Sequence, residues 1–569
     1  MSITIQRPQR WDQPFDPEMC ETDVDHLLTL PPLSDIDPEN FPNTASLRDI
    51  LRNDTRLQSF HDGDIIMREG DYGSSAFLIL SGAVRVIIGE DLPASMLGRG
   101  TLKRRGLMQA FSQLWSNSSV PERRDASHYE NKTFGTRGEG GATRVFLQDV
   151  PGILDEYRTV RILEGELVGE IAALGRTPRT ATVFADGETE VLEIRWQGLR
   201  DLRRRADSLR EHIDRLYRER SLTTHLRNTP MFSHLDDAEI NEVADQTLFE
   251  TYGEFDWYGS YKTIVAQSAA RRLEIEPIIA HEDHYVDGLI MIRAGFARIS
   301  MQVNHGHRTL TYLQRGDTFG FDEIAHHWRT GERLPSQSTL RAIGYVDVLR
   351  VPTHVIEKHV LPSYPPEHLP PLVAPRTDKK QVSEDLQTQT GLNVDMLESL
   401  VENRYINGTA AMVIDLNRCV GCDDCVRACS RTHDNNPRFI RHGKQINHYM
   451  IANACMHCSD PVCMIGCPTG AIHRDASQGQ VIINDETCIG CATCANSCPY
   501  DNIRMVEIRD QRGTLIRDQQ TNAPIIKATK CDLCVDQVVS PACANACPHD
   551  ALARLDLSDY AALNKWFDR

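Results

Sequence analysis

For most of its length this chain has almost no cysteine: Cys20 stands alone until Cys419 in a sequence of 569 residues. It also lacks any apolar run long enough to cross a bilayer, so no membrane-spanning segment is expected. Its first residues, MSITIQRPQRWDQPFDPEMC, contain no apolar signal core and no twin-arginine pattern. A cytoplasmic location is the expectation, unless a partner carries an export signal. A surplus of basic charge is missing too. The net charge of −18 and pI near 5.6 argue against a general nucleic-acid binder and leave room only for a local basic patch. Neither a Gly-rich dinucleotide fingerprint nor a P-loop occurs. With no catalytic constellation visible outside the cysteines, substrate chemistry is expected to belong to a partner.

What is present is concentrated at the C-terminal end. Sixteen of the 17 cysteines lie between Cys419 and Cys547, in four runs. Cys419, Cys422, Cys425 and Cys429 follow C-x2-C-x2-C-x3-C. Cys455, Cys458, Cys463 and Cys467 follow C-x2-C-x4-C-x3-C-P. Cys488, Cys491, Cys494 and Cys498 follow C-x2-C-x2-C-x3-C-P. Cys531, Cys534, Cys543 and Cys547 follow C-x2-C-x8-C-x3-C-P. A disulfide framework belongs to small secreted chains, and this chain is neither small nor evidently secreted. Three thiolates on a tight loop can cap three irons of one cubane. A fourth, further along and followed by proline, points to a neighbouring cluster. Pro468, Pro499 and Pro548 stand behind the fourth cysteine, with fixed φ and no N–H, as suits the turn that follows; the first run has Ser430 there. Structural zinc also uses C-x2-C pairs, but it does not explain the repeated fourth cysteine with its proline. Since every run keeps all four thiolates, [4Fe–4S] is expected over [3Fe–4S].

The stretches VIDLNRCVGCDDCVRACSRTHDNNPRF, CMHCSDPVCMIGCPTGAIHRD, CIGCATCANSCPYDNIRM and KCDLCVDQVVSPACANACPHDAL resemble the four-cluster ferredoxin-like subunits of the dimethyl-sulfoxide-reductase type. Related subunits serve formate dehydrogenases, nitrate reductases and membrane hydrogenases. The resemblance implies that the first run pairs with the fourth and the second with the third. One cluster would then take Cys419, Cys422, Cys425 and Cys547, and another Cys531, Cys534, Cys543 and Cys429. A third would take Cys455, Cys458, Cys463 and Cys498, and the last Cys488, Cys491, Cys494 and Cys467. It also implies a relay without substrate chemistry of its own. The relay would connect a catalytic subunit of hydrogenase or molybdopterin type to a quinone-linked or other acceptor, with association to the inner membrane face through a partner.

The preceding residues read as an α+β multidomain chain, at a length that predicts three to four domains. Residues 1–44, polar and Pro-rich, are expected to form a loose arm. A β-rich block at 45–226 ends in a helix in which Leu199, Leu202, Ala206, Leu209, Ile213 and Leu216 make a heptad seam. A second β-rich block at 227–360 shares its plan, which predicts an internal repeat. A stiff, extended Pro-rich linker and a helix follow at 361–404, before the ferredoxin-like region at 405–569.

FHDGDIIMREGDYGSSAFLILSGAVRVI and GELVGEIAALGRTPRTATV resemble the cyclic-nucleotide-binding domain, a β-roll with flanking helices. The resemblance implies that Gly169 lets the chain approach the sugar, Glu170 accepts from the ribose 2′-OH, and Arg179 pairs with the phosphate. Thr180 and Ala181 would add contacts to bound cAMP or cGMP. A plain internal salt bridge between Glu170 and Arg179 is the competing reading. The seam matches the position of that family's lid and dimer helix, which implies a homodimer through 199–216; a helix packing on its own domain is the alternative. About 70 residues, 89–159, interrupt the roll. Within them Arg99, Lys103, Arg104 and Arg105 cluster, and Leu107, Met108, Phe111, Leu114 and Trp115 could share one helix face against a membrane or partner; a flexible insertion packing on its own domain is the alternative. In the second block Ser336 and Gln337 follow Pro335 where an arginine is expected, with Glu323 as the only stand-in for the ribose acid, so an empty structural module is expected. Two functions remain: an electron-transfer subunit with a regulatory or docking pair, and a cyclic-nucleotide- or redox-responsive sensor. A transcription regulator is disfavoured, since the seam helix leads to a second roll and not to a helix-turn-helix.

Overall fold

The computed structural model describes residues 3–87, 153–216, 222–254, 261–372, 399–534 and 541–567 with short internal gaps, and a few positions between them. The basic and apolar cluster expected at 99–115 lies outside the described residues, as does most of the helix expected at 377–404.

A three-residue strand, β1 (Ile3–Ile5), opens the chain. The first roll follows, with β2 (Thr55–Phe60), β3 (Ile65–Met67), β4 (Ser75–Ser81), β5 (Ala83–Ile87), β6 (Thr159–Leu163), β7 (Leu167–Val168), β8 (Val183–Ala185) and β9 (Thr189–Arg195). They make two four-stranded sheets in the orders β2-β9-β4-β7 and β3-β8-β5-β6. The second roll has β10 (Leu248–Gly253), β11 (Ile278–Ala280), β12 (Gly288–Ala294), β13 (Ala297–Val303), β14 (Gly306–Leu313), β15 (Thr318–Phe319), β16 (Thr339–Ala342) and β17 (Tyr345–Pro352). Its orders, β10-β17-β12-β15 and β11-β16-β13-β14, repeat the first strand for strand. The internal repeat read from the sequence is therefore a repeat of topology. Central strands, paired on both edges, read as near-continuous apolar runs: LIMI in β12 is fully buried, as is VFA in β8.

Three features correct the sequence reading. The N-terminal arm is folded. Glu21–Leu27 is a helix, two short 3-10 turns follow, and Val24, Leu27, Leu33, Ile36 and Phe41 are buried. The seam helix is two helices, Trp196–Arg205 and Asp207–Leu216, broken at Ala206, whose ψ of 99° is extended. All six seam residues are at most 3% exposed and share one core with the arm and with the helix Leu47–Asp54. The seam that suggested a homodimer is thus occupied by the chain's own N-terminus. Third, residues 361–372 do not run out as an extended spacer. They form 3-10 turns, with Leu361 buried and Tyr364 and Leu369 packed on the second roll.

The rolls are joined to each other and to the C-terminal region. Arg203 reaches Asp347 at 3.5 Å and Arg293 reaches Asp214 at 3.0 Å, each across the rolls. Phe296, Tyr312 and Ile343 of the second roll share a core with Leu400, Ala411, Val413 and Trp566. β1 pairs in parallel with Ile516–Asp518. Within the long insertion, Glu122 O accepts from Arg509 N at 3.0 Å and Arg124 N donates to Arg509 O at 2.6 Å, so its middle is anchored on the C-terminal region.

Candidate metal centres and nucleotide cassette

The C-terminal region is built on a four-stranded antiparallel sheet, Ile440–Ile446, Tyr449–Asn453, Ala411–Asp415 and Leu552–Leu555, flanked by two separate strand pairs, Ile472–Arg474 with Val481–Ile483 and Arg504–Glu507 with Ile526–Thr529. Each cysteine run is a loop leading into a short helix: Asp424–Thr432, Val462–Ile465, Thr493–Ser497 and Ala542–Asn545. The four loops share one backbone device. The residue just before the second cysteine is left-handed in each: Gly421, His457, Gly490 and Leu533 have φ of 74°, 49°, 69° and 60°. Glycine takes that conformation at no steric cost, whereas His457 and Leu533 hold it against a penalty that the surrounding fold must offset. At Gly490 space adds to conformation, since a Cβ would run into the Ile526 carbonyl.

These loops gather the thiols in fours. One cavity is lined by Cys419, Cys422, Cys425 and Cys547, with Ile414, Val420 and Leu552 around them. A second is lined by Cys467, Cys488, Cys491 and Cys494, with Ile472, Ile483 and Met505. The helices that carry the remaining cysteines pack in the same pairs, Asp424–Thr432 against Ala542–Asn545 and Val462–Ile465 against Thr493–Ser497, and Cys429, Cys531 and Cys543 share one core. Each cavity joins three thiols of one run to the fourth of its partner run.

Burial in apolar surroundings pushes several of these thiols up, Cys425 and Cys498 to about 11 and Cys543 to about 12. Such thiols ionise readily only for a bound cation. Donors at sulfur then favour the thiolate: Arg438 N donates to Cys429 Sγ at 3.1 Å, Ala551 N to Cys547 Sγ at 3.3 Å, and Arg554 Nη2 to Cys531 Sγ at 2.9 Å. Soft thiolate donors in fours, apolar walls and donors aimed at sulfur fit iron–sulfur clusters.

Several charged groups here escaped the sequence reading. Lys527 is fully buried, and its Nζ donates to Cys488 O at 2.5 Å and Asp485 O at 2.9 Å. Lys530 donates to Val481 O and, at 3.0 Å, to Cys531 O. His433 bridges Cys429 O at 2.8 Å and Asp532 Oδ1 at 3.0 Å. Burial pushes its pKa down, but the hydrogen bonds to Asp532 and the Cys429 and Cys534 thiols outweigh this and hold it raised. A basic residue beside KC or in ALARLD carries no sequence sign that it will be drawn inside.

In the first roll, Gly169 (φ 80°) and Glu170 open the short helix Glu170–Gly175, and Arg179 returns against them. Arg179 is buried, with Nη1 donating to Gly169 O and Nη2 to Ser75 O, both at 2.6 Å. Glu170 is buried as well, Thr180 is exposed and Ala181 half-buried. The structure thus brings Gly169, Glu170 and Arg179 together and leaves Thr180 on the rim. The second roll repeats this frame with a different side chain. Tyr72 bridges Pro178 in the first roll and Tyr285 bridges Pro335 in the second. Arg179 N donates to Asp71 O, and Ser336 N to His284 O, both at 2.8 Å. Ser336 therefore stands in the register of Arg179, facing Glu323, whose carboxyl burial pushes up.

The first cassette's rim touches the cysteine region. Tyr72 N donates to Ala476 O at 2.8 Å, and Arg474 Cζ lies 5.3 Å from the Tyr72 ring centroid. Arg474 Nη2 also donates to Cys458 O and Ser459 O, both at 2.7 Å. Nearby, Arg200 Nη1 donates to Ile465 O at 2.6 Å.

Comparison with known proteins agrees with both halves. A model of the 4Fe-4S dicluster domain matches residues 446–556, and one of the cyclic nucleotide-binding domain matches residues 145–206. The electron transport protein HydN of Escherichia coli (strain K12) is 36% identical over 156 residues, 25% of this chain and 81% of HydN. The chain belongs to this family of 4Fe-4S ferredoxin-like electron-transfer proteins. The B subunit of the anaerobic dimethyl sulfoxide reductase of Haemophilus influenzae is 36% identical over 144 residues, 22% of this chain and 62% of that one. The chain spans 40 to 62% of the length of the respiratory-reductase subunits it matches. Among solved structures, the regulatory domain of Toxoplasma gondii PKA with cAMP is 14% identical, covering 60% of this chain and 94% of that one, with a TM-score of 0.20. The first cysteine run and the second roll lie outside both matched segments. Among the described residues no helix is long and apolar enough to cross a membrane.

Proposed function

We propose that this chain is the relay subunit of a larger oxidoreductase, with its sixteen C-terminal cysteines holding four [4Fe–4S] clusters in cross-paired sets. Two cavities, each lined by four thiols with three from one run and one from its partner, carry this reading. When bound, the clusters supply one-electron redox chemistry. The chain's own residues hold and grade them. Cys422 and Cys491, one in each thiol-lined cavity, are exposed, whereas Cys429, Cys531, Cys534 and Cys543 are all buried. The sets containing Cys422 and Cys491 thus suit contact with partners at the two ends, and the two sets without an exposed thiol, that of Cys531 and that of Cys455, suit the interior. A catalytic subunit of hydrogenase or molybdopterin type is the proposed electron partner at one end, and a quinone-linked or other acceptor at the other. A cytoplasmic location, at the inner face of a membrane through that partner, fits the same reading.

The first roll is proposed to take cAMP or cGMP at Gly169, Glu170, Arg179, Thr180 and Ala181, in a regulatory or docking role. One observation favours the alternative of a cyclic-nucleotide- or redox-responsive sensor: the cassette's rim rests, through Tyr72 and Arg474, on the loop carrying Cys458. Two experiments separate these. Anaerobic affinity purification of the full chain is expected to recover a catalytic oxidoreductase subunit, and recovery of the chain without one contradicts the relay role. cAMP or cGMP is expected to raise the melting temperature of the wild type and to leave Glu170→Gln unmoved; no shift in the wild type demotes the cassette to scaffold.

A further inference from the structure

The proposed sets fall into two halves. The set of Cys419, Cys422, Cys425 and Cys547 and the set of Cys531, Cys534, Cys543 and Cys429 exchange cysteines between the first and fourth runs. The other two exchange them between the second and third. Within each half the sets are thus tied by shared loops. The central step, from the Cys531 set to the Cys455 set, crosses between loops that share no cysteine, although one side chain reaches Cys531 Sγ and Cys455 O together.

Arg554 spans this junction. Its Nη2 donates to Cys531 Sγ at 2.9 Å, and its Nη1 donates to Cys455 O at 3.2 Å and Ala410 O at 3.0 Å. The Nε atom is shielded from solvent and has no hydrogen-bond partner among the described residues. The strand Leu552–Leu555, paired with Ala411–Asp415, fixes the side chain's origin. Other charges at this place do not cancel it. Lys530 adds a second cation, its Nζ 3.0 Å from Cys531 O. Asp532 is engaged by His433 at 3.0 Å, and Asp460 by Arg404 at 3.0 Å.

We propose that Arg554 is a positioning residue for the central step, holding a fixed positive charge between the two middle sites and raising the potentials of both relative to what they would be without it. The inference rests on the four-cluster reading. Adding an electron to a thiolate-held site increases its negative charge by one, so a fixed cation in a water-poor junction favours the reduced form. Arginine suits this role because it stays protonated at any working pH and its fork serves a sulfur and two carbonyls at once. At each transfer one middle site gains the electron that its neighbour loses, and Arg554 exchanges no proton.

The test is a potentiometric titration of the full, cluster-loaded chain followed by electron paramagnetic resonance, with iron and sulfide content measured on the same samples. Arg554→Gln is expected to keep wild-type iron while two of the four midpoints fall and two stay. The expected fall is at least tenfold in the electron-sharing equilibrium with the outer neighbour, about 59 mV for one electron. Arg554→Lys, which keeps the charge, is expected to stay near the wild type. Full iron with four unchanged midpoints in Arg554→Gln overturns the proposal, as does an equal fall of all four. If Arg554→Gln does not load, Arg554→Lys decides: wild-type midpoints support a charge effect, and two lowered midpoints overturn it. Fewer than four clusters in the wild type itself refutes the four-cluster reading instead.

Discussion

Tyr72 and Arg474 join the first β-roll to the cysteine region, the guanidinium carbon standing 5.3 Å from the ring centroid. The contact is tied on both sides. Tyr72 N donates to Ala476 O at 2.8 Å, and Arg474 holds the carbonyls of Cys458, Ser459 and Gly479. Gly479, at φ 68°, sits against the same ring, where a Cβ would collide with it.

Tyr72→Ala is therefore expected to loosen the junction. It removes a cation–π contact and the ring's packing, together about 1–2 kcal/mol. Gly479→Ala is expected to act in the same direction through both collision and backbone strain. Hydrogen exchange is the measurement: protection should fall together at 70–73 and 475–480 while the second roll keeps its own. Faster exchange on one side alone would show that the two segments are not held by each other.

The seam residues give an opposite prediction to that of an interface helix. Leu209 is 1% exposed in a core shared with Leu27, Leu33 and Phe41. Leu209→Ala is expected to cost about 2–5 kcal/mol in denaturant unfolding, the range for a buried leucine. Molar mass measured by light scattering is expected not to change. A halved mass at unchanged stability would restore the homodimer through 199–216.

His225 sets a pH dependence. Burial, with Arg315 and Arg293 nearby, pushes its pKa from 6.5 down to about 4. Between those values the unfolded chain binds the extra proton and the folded chain does not. Stability contributed by the neutral ring is therefore complete above pH 6.5 and is lost as pH falls toward 4, up to about 3 kcal/mol. His225→Gln is expected to flatten the unfolding free energy over that window relative to the wild type. Equal slopes would place the acid sensitivity elsewhere.

The cysteine runs were legible because their chemistry dictates their spacing. The roll repeat was legible because its strands and glycine turns recur in one order. The folded arm was not: Val24, Leu27, Leu33, Ile36 and Phe41 are spaced among prolines and acids, and only the partner surface gives them a pattern. Heptad spacing found the buried face of the seam, but could not say which surface covers it, nor that Ala206 breaks the helix. Ser336 reads as a lost arginine, and the matched frames of the two rolls place it in that register. Arg554, Lys527 and Lys530 were invisible because a basic residue on or beside a short strand is ordinarily solvated, and only the fold draws these three toward sulfur and buried carbonyls.

Iron and acid-labile sulfide counted per chain, on protein purified without oxygen, test the central claim most directly. Four cross-paired [4Fe–4S] sites predict about sixteen of each in the wild type. Cys547→Ser is predicted to perturb the site of Cys419, Cys422 and Cys425 and to spare that of Cys455. About four or eight irons in fully loaded wild-type protein, or loss of the Cys455 site's signal on changing Cys547, would contradict the account.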